Sequence, residues 1–250
     1  MKRIFVIISI FALMFVLNGC TTTQSETSSN ISSSDSLSNE LVEFDEPLFL
    51  IEESDKNVIS VQVPVLITEN DDKVNQVIHD YVENKMADIC LSEYNVVESS
   101  SDVSDKNAEY LECYIDVKYR VSLNTENLVS IVFDGIYNYR SAAHPTNLFF
   151  TLNINPKTAK MVEFTDTYVL DDAVYELFTE SALDNISKLT EDITVDSLCT
   201  KDEFIDGIKS QNEFYCYYTE TSIGISCPVP HALGDHLEVE IPLTKLKKSA

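Results

Sequence analysis

The chain has 250 residues, with 17 Lys+Arg against 42 Asp+Glu and a formal charge of −25. Such acidity argues against nucleic acid as a partner, because phosphates demand a basic footprint, and against direct docking on an anionic lipid surface. Hydrophobic residues make up 44%, enough for a real core, and 12 Tyr with 12 Phe and no Trp suit a sheet-rich structure.

The N-terminus opens on the basic cap Met1-Lys2-Arg3 and runs apolar from Ile4 to Leu17, interrupted only by Ser9. A spanning helix needs roughly 20 apolar residues, so this shorter run reads as the h-region of an export leader over residues 1–19. Leu17-Asn18-Gly19-Cys20 resembles the lipobox of bacterial lipoproteins. The resemblance implies cleavage before Cys20 and a diacylglyceryl group, palmitate among its acyl chains, on that thiol. Two acyl chains at about 0.8 kcal/mol per buried CH₂ hold a protein on a bilayer. Cys20 is therefore the expected lipidation site, and the expected location is the outer side of the cell membrane. Losing Lys2 and Arg3 with the leader takes the formal charge from −25 to −27. That charge attracts a cationic partner at long range, and it equally keeps an exported protein soluble.

Residues 21–41 are mostly Ser and Thr at first and bury too little to offset their ordering entropy, so they read as a disordered tether. Twenty such residues span roughly 25 Å as a flexible coil. The folded part begins near Val42. Val58 to Ile67 has strand chemistry, with Pro64 pointing to an edge or a bulge. Asn70-Asp71-Asp72 offers capping side chains, and Val74, Val77, Ile78, Tyr81, Met86 and Ile89 recur at helical spacing, which predicts a helix over 71–90. A Ser- and Asp-rich loop is expected from Glu93 to Asn107. Glu109 to Ser122 and Leu128 to Tyr139 both alternate apolar with polar residues and predict a long antiparallel hairpin.

A further strand is expected from Asn147 to Ile154, a turn at Asn155-Pro156-Lys157-Thr158, and a returning strand from Lys160 to Phe164. Val174, Leu177, Phe178, Ala182, Ile186 and Leu189 predict a helix over 171–189, and Lys201 to Ile208 a shorter one. Three strands close the chain, at Phe214 to Thr219, Ile223 to Cys227 and Glu238 to Leu243. Helices mixed with antiparallel runs, without regular βαβ alternation, say α+β: antiparallel sheets, two main helices and a central hairpin. The chain divides into an N-terminal half, 42–140, and a C-terminal half, 141–250. Beyond Cys20 there are five cysteines, Cys90, Cys113, Cys199, Cys216 and Cys227. Their spacings match no zinc pattern, and the odd number leaves at least one thiol outside any set of bridges.

Several stretches carry a family resemblance: Ala142-Ala143-His144-Pro145 after a strand, Asn153 to Lys160, Glu163-Phe164-Thr165-Asp166 before a helix, and the tail from Phe214 to Leu243. Together they resemble the RsiV/PdaC-type family of extracytoplasmic bacterial domains, the domain-of-unknown-function family 3298 with its usual upstream partner. The resemblance covers most of Val58 to Lys245. Ser141 and Ala142 stand where that family often has Gly, and Ala159 where a turn Gly is common. What it implies is a recognition or sensing module, without the spanning helix of an anti-sigma factor or the catalytic domain of a deacetylase.

His144 beside Ser141, with Asp134 upstream, invites a Ser-His-Asp reading, but the spacing is that of no nucleophile elbow. A histidine at a strand end is more often a local hydrogen-bonding residue. His231, Asp235 and His236 are of the right type for zinc, yet they fall in a loop where Gly234 makes a turn. No phosphate loop, redox Cys-x-x-Cys or dinucleotide fingerprint is present, so neither cofactor nor metal is expected. The expected function is a non-catalytic, membrane-tethered module that binds or senses an envelope ligand. That ligand is either a cationic protein such as lysozyme or a cell-wall glycan gripped by Tyr rings. His144, Tyr137 and Tyr139 are the candidate ligand-binding residues. The alternative is a cell-wall-modifying hydrolase with its site near His144 or His231/Asp235/His236, and a third reading is an accessory protein of an envelope complex.

Overall fold

Alternation of apolar residues sets the strands of the first half. Ile59, Val61 and Val63 of one strand, Ile115 and Val117 of another, and Ile131 and Phe133 of a third are all buried in one cluster. The computed structural model describes residues 6–7, 41–53, 57–99, 113–139, 144–186, 198–211 and 213–249. Cys20, the tether up to residue 40 and the expected loop beyond Ser99 lie outside the described residues, and so do Ser141 to Ala143.

The large sheet runs in sequence order: β1 (Val6–Ile7), β2 (Glu43–Glu53), β3 (Asn57–Ile67), β4 (Cys113–Asn124), β5 (Val129–Tyr139), β6 (Thr146–Asn155) and β7 (Lys160–Met161). Val6 and Ile7, assigned by sequence to the leader, pair with Ile51 and Leu50 at the outer edge. The strands β4 and β5 form the predicted hairpin, with Ile115 opposite Tyr137 and Tyr119 opposite Phe133. Pro64 sits in the interior strand β3, where the β2 register shifts between Asp45 and Leu48. The bulge spares the ladder the N–H that proline lacks.

Two expectations are corrected. The sheet is mixed, because β3 and β4 run parallel from Asn57 opposite Cys113 to Val61 opposite Val117. The crossover between them is α1 (Asp71–Ser99), a connection of the length that parallel pairing demands. That helix also runs past residue 90, through the start of the expected loop. It lays Val74, Ile78, Val82 and Met86 on one face of the sheet.

The part packed about the second apolar cluster begins with the short helix α2 (Phe164–Thr167), opened by a capping box between Glu163 and Asp166. Then come α3 (Asp172–Ile186) and α4 (Lys201–Ser210), and a small antiparallel sheet in the order β10 (His236–Pro242), β9 (Ser222–Pro228), β8 (Tyr215–Tyr218). Thr200 caps α4, its hydroxyl accepting from Glu203 N. One face of the small sheet, including Ile223, Ile225, Val239 and Ile241, packs with Phe178 and Phe204 of the helices. The fold is α+β, as the sequence predicts, and mostly sheet.

The other face of the small sheet lies against the large sheet on the side away from α1. Here the contact is part apolar, with Val132, Phe149 and Tyr217 together. It is also part polar. Thr151 Oγ1 and Asn153 Nδ2 both donate to Cys216 O, at 2.7 and 2.8 Å, and Tyr218 N donates to Ser130 Oγ at 2.9 Å. A Cβ on Gly224 would stand 2.0 Å from the Tyr217 ring, so only glycine lets that ring lie between the sheets. The two apolar clusters divide between Ala159 and Phe164, while the strands on either side of residue 140 pair with each other. No described helix is long and apolar enough to cross a membrane.

Candidate functional site

The strand β6 is flanked unevenly. On one side it pairs with β5 from Thr146 to Ile154, but on the other β7 reaches only Ile154 and Asn155. Its first half is therefore a sheet edge with no strand beside it among the described residues. Against that edge stand Lys85, Asp88 and Ile89 of α1, Tyr215, Ser226 and Pro228 of the small sheet, and Asp235 with His236. They border a cleft of about 460 Å³ that Tyr137 and Asn147 also line, within the range of small-ligand sites.

The loop entering β10 is pinned to β6. Gly234 and Asp235 both take left-handed backbone, with φ of 102° and 70°. For aspartate that conformation costs roughly 1 kcal/mol, and two bonds hold it. Asp235 Oδ2 accepts from Asn147 N at 2.8 Å, and Asp235 Oδ1 lies 2.8 Å from His231 Nδ1. The His231 ring in turn stacks on His144, centroids 5.8 Å apart. Three of the residues singled out from sequence thus meet, joined by an aspartate that acts as a local clasp.

Behind the clasp, the His236 ring lies against Phe149 at 4.7 Å, with its Nε2 3.9 Å from Glu238. Burial lowers the His236 pKa below its ordinary value, against the opposing pull of Glu238, Asp235 and Asp134. Its Nδ1 has no hydrogen-bond partner, and neither has Ser226 Oγ on a residue only 1% exposed. Both residues line the cleft. Lys85 spans the far wall, its Nζ 5.1 Å from the Tyr215 ring and 5.8 Å from that of Tyr81. Burial lowers its pKa, with Asp88 opposing. The site thus offers stacking surface, carboxylates and unsatisfied polar groups. Among the described residues, Ser226 and His236 make no bond to each other.

Of the predicted ligand-binding residues, Tyr137 lines the cleft, and His144 is exposed on the turn above it. Tyr139 ends β5 opposite Cys113, and its side chain lies outside the described residues. His231, Asp235 and His236 do not gather their ligand atoms. Among the described residues the one group that does is His79, Asp80 and Glu83 on α1, within 4.8 Å of one another. Sequence reasoning missed Lys85, Asn147 and Ser226. Only the two-residue phase of β9, which sets Ser226 apart from Ile225 and Cys227, hints at a polar residue facing elsewhere.

Fold and cleft together define a class: an α+β module of two stacked sheets, helices on its outer faces, with a cleft at the open end of one strand. Residues 51–147 match the family described as deacetylase PdaC. Two solved structures share the fold. One is a DUF3298 family member from Bacteroides fragilis, 14% identical with a TM-score of 0.50, covering 84% of this chain and 94% of its own. The other is a DUF3298 family protein from Pseudomonas aeruginosa, 13% identical with a TM-score of 0.51, covering 84% and 96%. No curated protein matches the chain. The match over residues 51–147 and the shared fold agree with the resemblance read from the sequence.

Proposed function

We propose that this protein is a lipid-tethered, extracytoplasmic and non-catalytic module that binds a cell-envelope ligand in the cleft at the open end of β6. The carrying observation is the cleft itself: buried polar groups without partners, aromatic walls and carboxylates converge there. The leader, Cys20 and the tether supply the placement, and the net charge of −27 favours a cationic protein as ligand over a neutral one. A cell-wall glycan stacking on Tyr137 and Tyr215 is the other form of the same reading.

The test is titration of the full chain in detergent micelles with lysozyme and, separately, with soluble peptidoglycan fragments. Saturable binding to one of them is expected, and for lysozyme an affinity that falls steeply with added salt. Binding to neither overturns the reading. The hydrolase reading rests on the His231–Asp235 bond beside His144. It requires peptidoglycan turnover that His144→Ala abolishes while leaving the fold intact.

A further inference from the structure

Successive residues of a strand turn their N–H and C=O groups alternately to either side. In β6 the set pointing away from β5 is identified by its partners. Asn147 N donates to Asp235, Thr151 O accepts from Tyr81 Oη at 2.7 Å, and Asn153 O accepts from Val162 N at 2.8 Å. Phe149 belongs to the same set, and it faces the cleft where no strand lies alongside among the described residues. A sheet edge in this state is a template for another strand.

We propose that the edge of β6 at Phe149 receives an extended peptide segment of a cationic protein as an added strand. The inference rests on the binding reading above and names its ligand class. Three features of the cleft support a peptide backbone with basic side chains. The Phe149 N–H and C=O offer the paired donor and acceptor that one residue of a strand exchanges. Ser226 Oγ and His236 Nδ1, both buried without partners, supply further sites for polar groups brought in by the segment. Among the described residues that line the cleft, Asp88, Glu213 and Asp235 stand against one Lys or Arg, Lys85, whose proton is disfavoured by burial.

The probe is a capped pentapeptide of alternating lysine and valine, added to the full chain in detergent micelles. Two N-methylated forms, at the third and at the fourth residue, accompany it. Adjacent residues face opposite ways, so one of the two methyl groups must fall on the edge. The parent peptide is expected to shift the Phe149 amide resonance. One N-methylated form loses about tenfold in affinity, the worth of one or two hydrogen bonds, while the other binds like the parent. Glu213→Gln, at an exposed position, weakens the parent peptide as well. If both N-methylated forms bind like the parent, or the parent leaves Phe149 unmoved, strand addition is overturned. Retained binding of peptidoglycan fragments or lysozyme in that case leaves the binding module standing and separates the two failures.

Discussion

The two halves of the molecule bury their apolar residues in different ways. The first lays one long helix on a mixed sheet, and its largest buried rings, Phe133 and Phe150, stack at 4.7 Å. The second sandwiches a small sheet between the first half and two short helices, with Phe178, Phe204 and Phe214 in a chain of ring contacts. Between them the seam is held by hydrogen bonds as much as by apolar contact. Buried polar bonds fix the relative register of two layers more sharply than apolar packing does. The cleft is lined from both halves, so its shape depends on that register.

The largest expected effect comes from breaking one core. Phe178→Ala removes a fully buried ring and should cost about 3–5 kcal/mol, as should Phe133→Ala in the other half. Hydrogen exchange decides what the comparison means. If the halves are separate cooperative units, Phe178→Ala lowers protection in β8–β10 and spares β4 and β5. A single unit loses protection throughout.

A smaller effect is expected at the seam. Ser130 is fully buried, donating to Asn153 Oδ1 at 2.7 Å while accepting from Tyr218 N. Ser130→Ala strands both partners and should cost about 1–3 kcal/mol. Chemical denaturation measures it, and a cost near zero would mean the seam is set by apolar contact alone.

A last effect appears only in alkali and reports on the buried thiols of the second cluster. Burial pushes the Cys216 and Cys227 thiols up to about 12 and Cys199 to about 11, from an ordinary 9.0. A raised folded pKa means this stability is fully present below pH 9 and is lost as pH climbs towards 12. The loss is about 1.4 kcal/mol per thiol for each pH unit within that window. Denaturation midpoints from pH 8 to 11 should fall, and Cys216→Ala should flatten the slope. An unchanged slope would place the alkaline loss elsewhere.

Much of this architecture is legible in the residues. The hairpin from Cys113 to Tyr139 follows from period-two alternation, α3 and α4 from their apolar stripes, and the Pro64 bulge from one residue's missing donor. Parallel pairing of β3 with β4 was not legible, because strand neighbours depend on where α1 returns the chain, and alternation is blind to that. Ser130, Thr151 and Asn153 look like a solvent face for a related reason. Their polarity alternates with apolar neighbours as an exposed face would, yet the small sheet covers them. In the candidate site, sequence proximity brought out His144, His231, Asp235 and His236. Lys85 of α1 and Ser226 of β9 reach the same cleft from distant segments, and no local pattern marks that approach. Ala159 is a middle case. It replaces the expected turn glycine but adopts the same left-handed backbone, at φ 55°.

The account turns on the cleft at the open end of β6 being where a ligand sits. Hydrogen exchange of the full chain in micelles, with and without a saturating ligand found by the lysozyme and peptidoglycan titrations, tests this directly. Amides of residues 146–150, with those around Lys85 and Ser226, are expected to gain protection together. A ligand that binds tightly and protects only the outer faces of α3 and α4, leaving β6 unchanged, would contradict it.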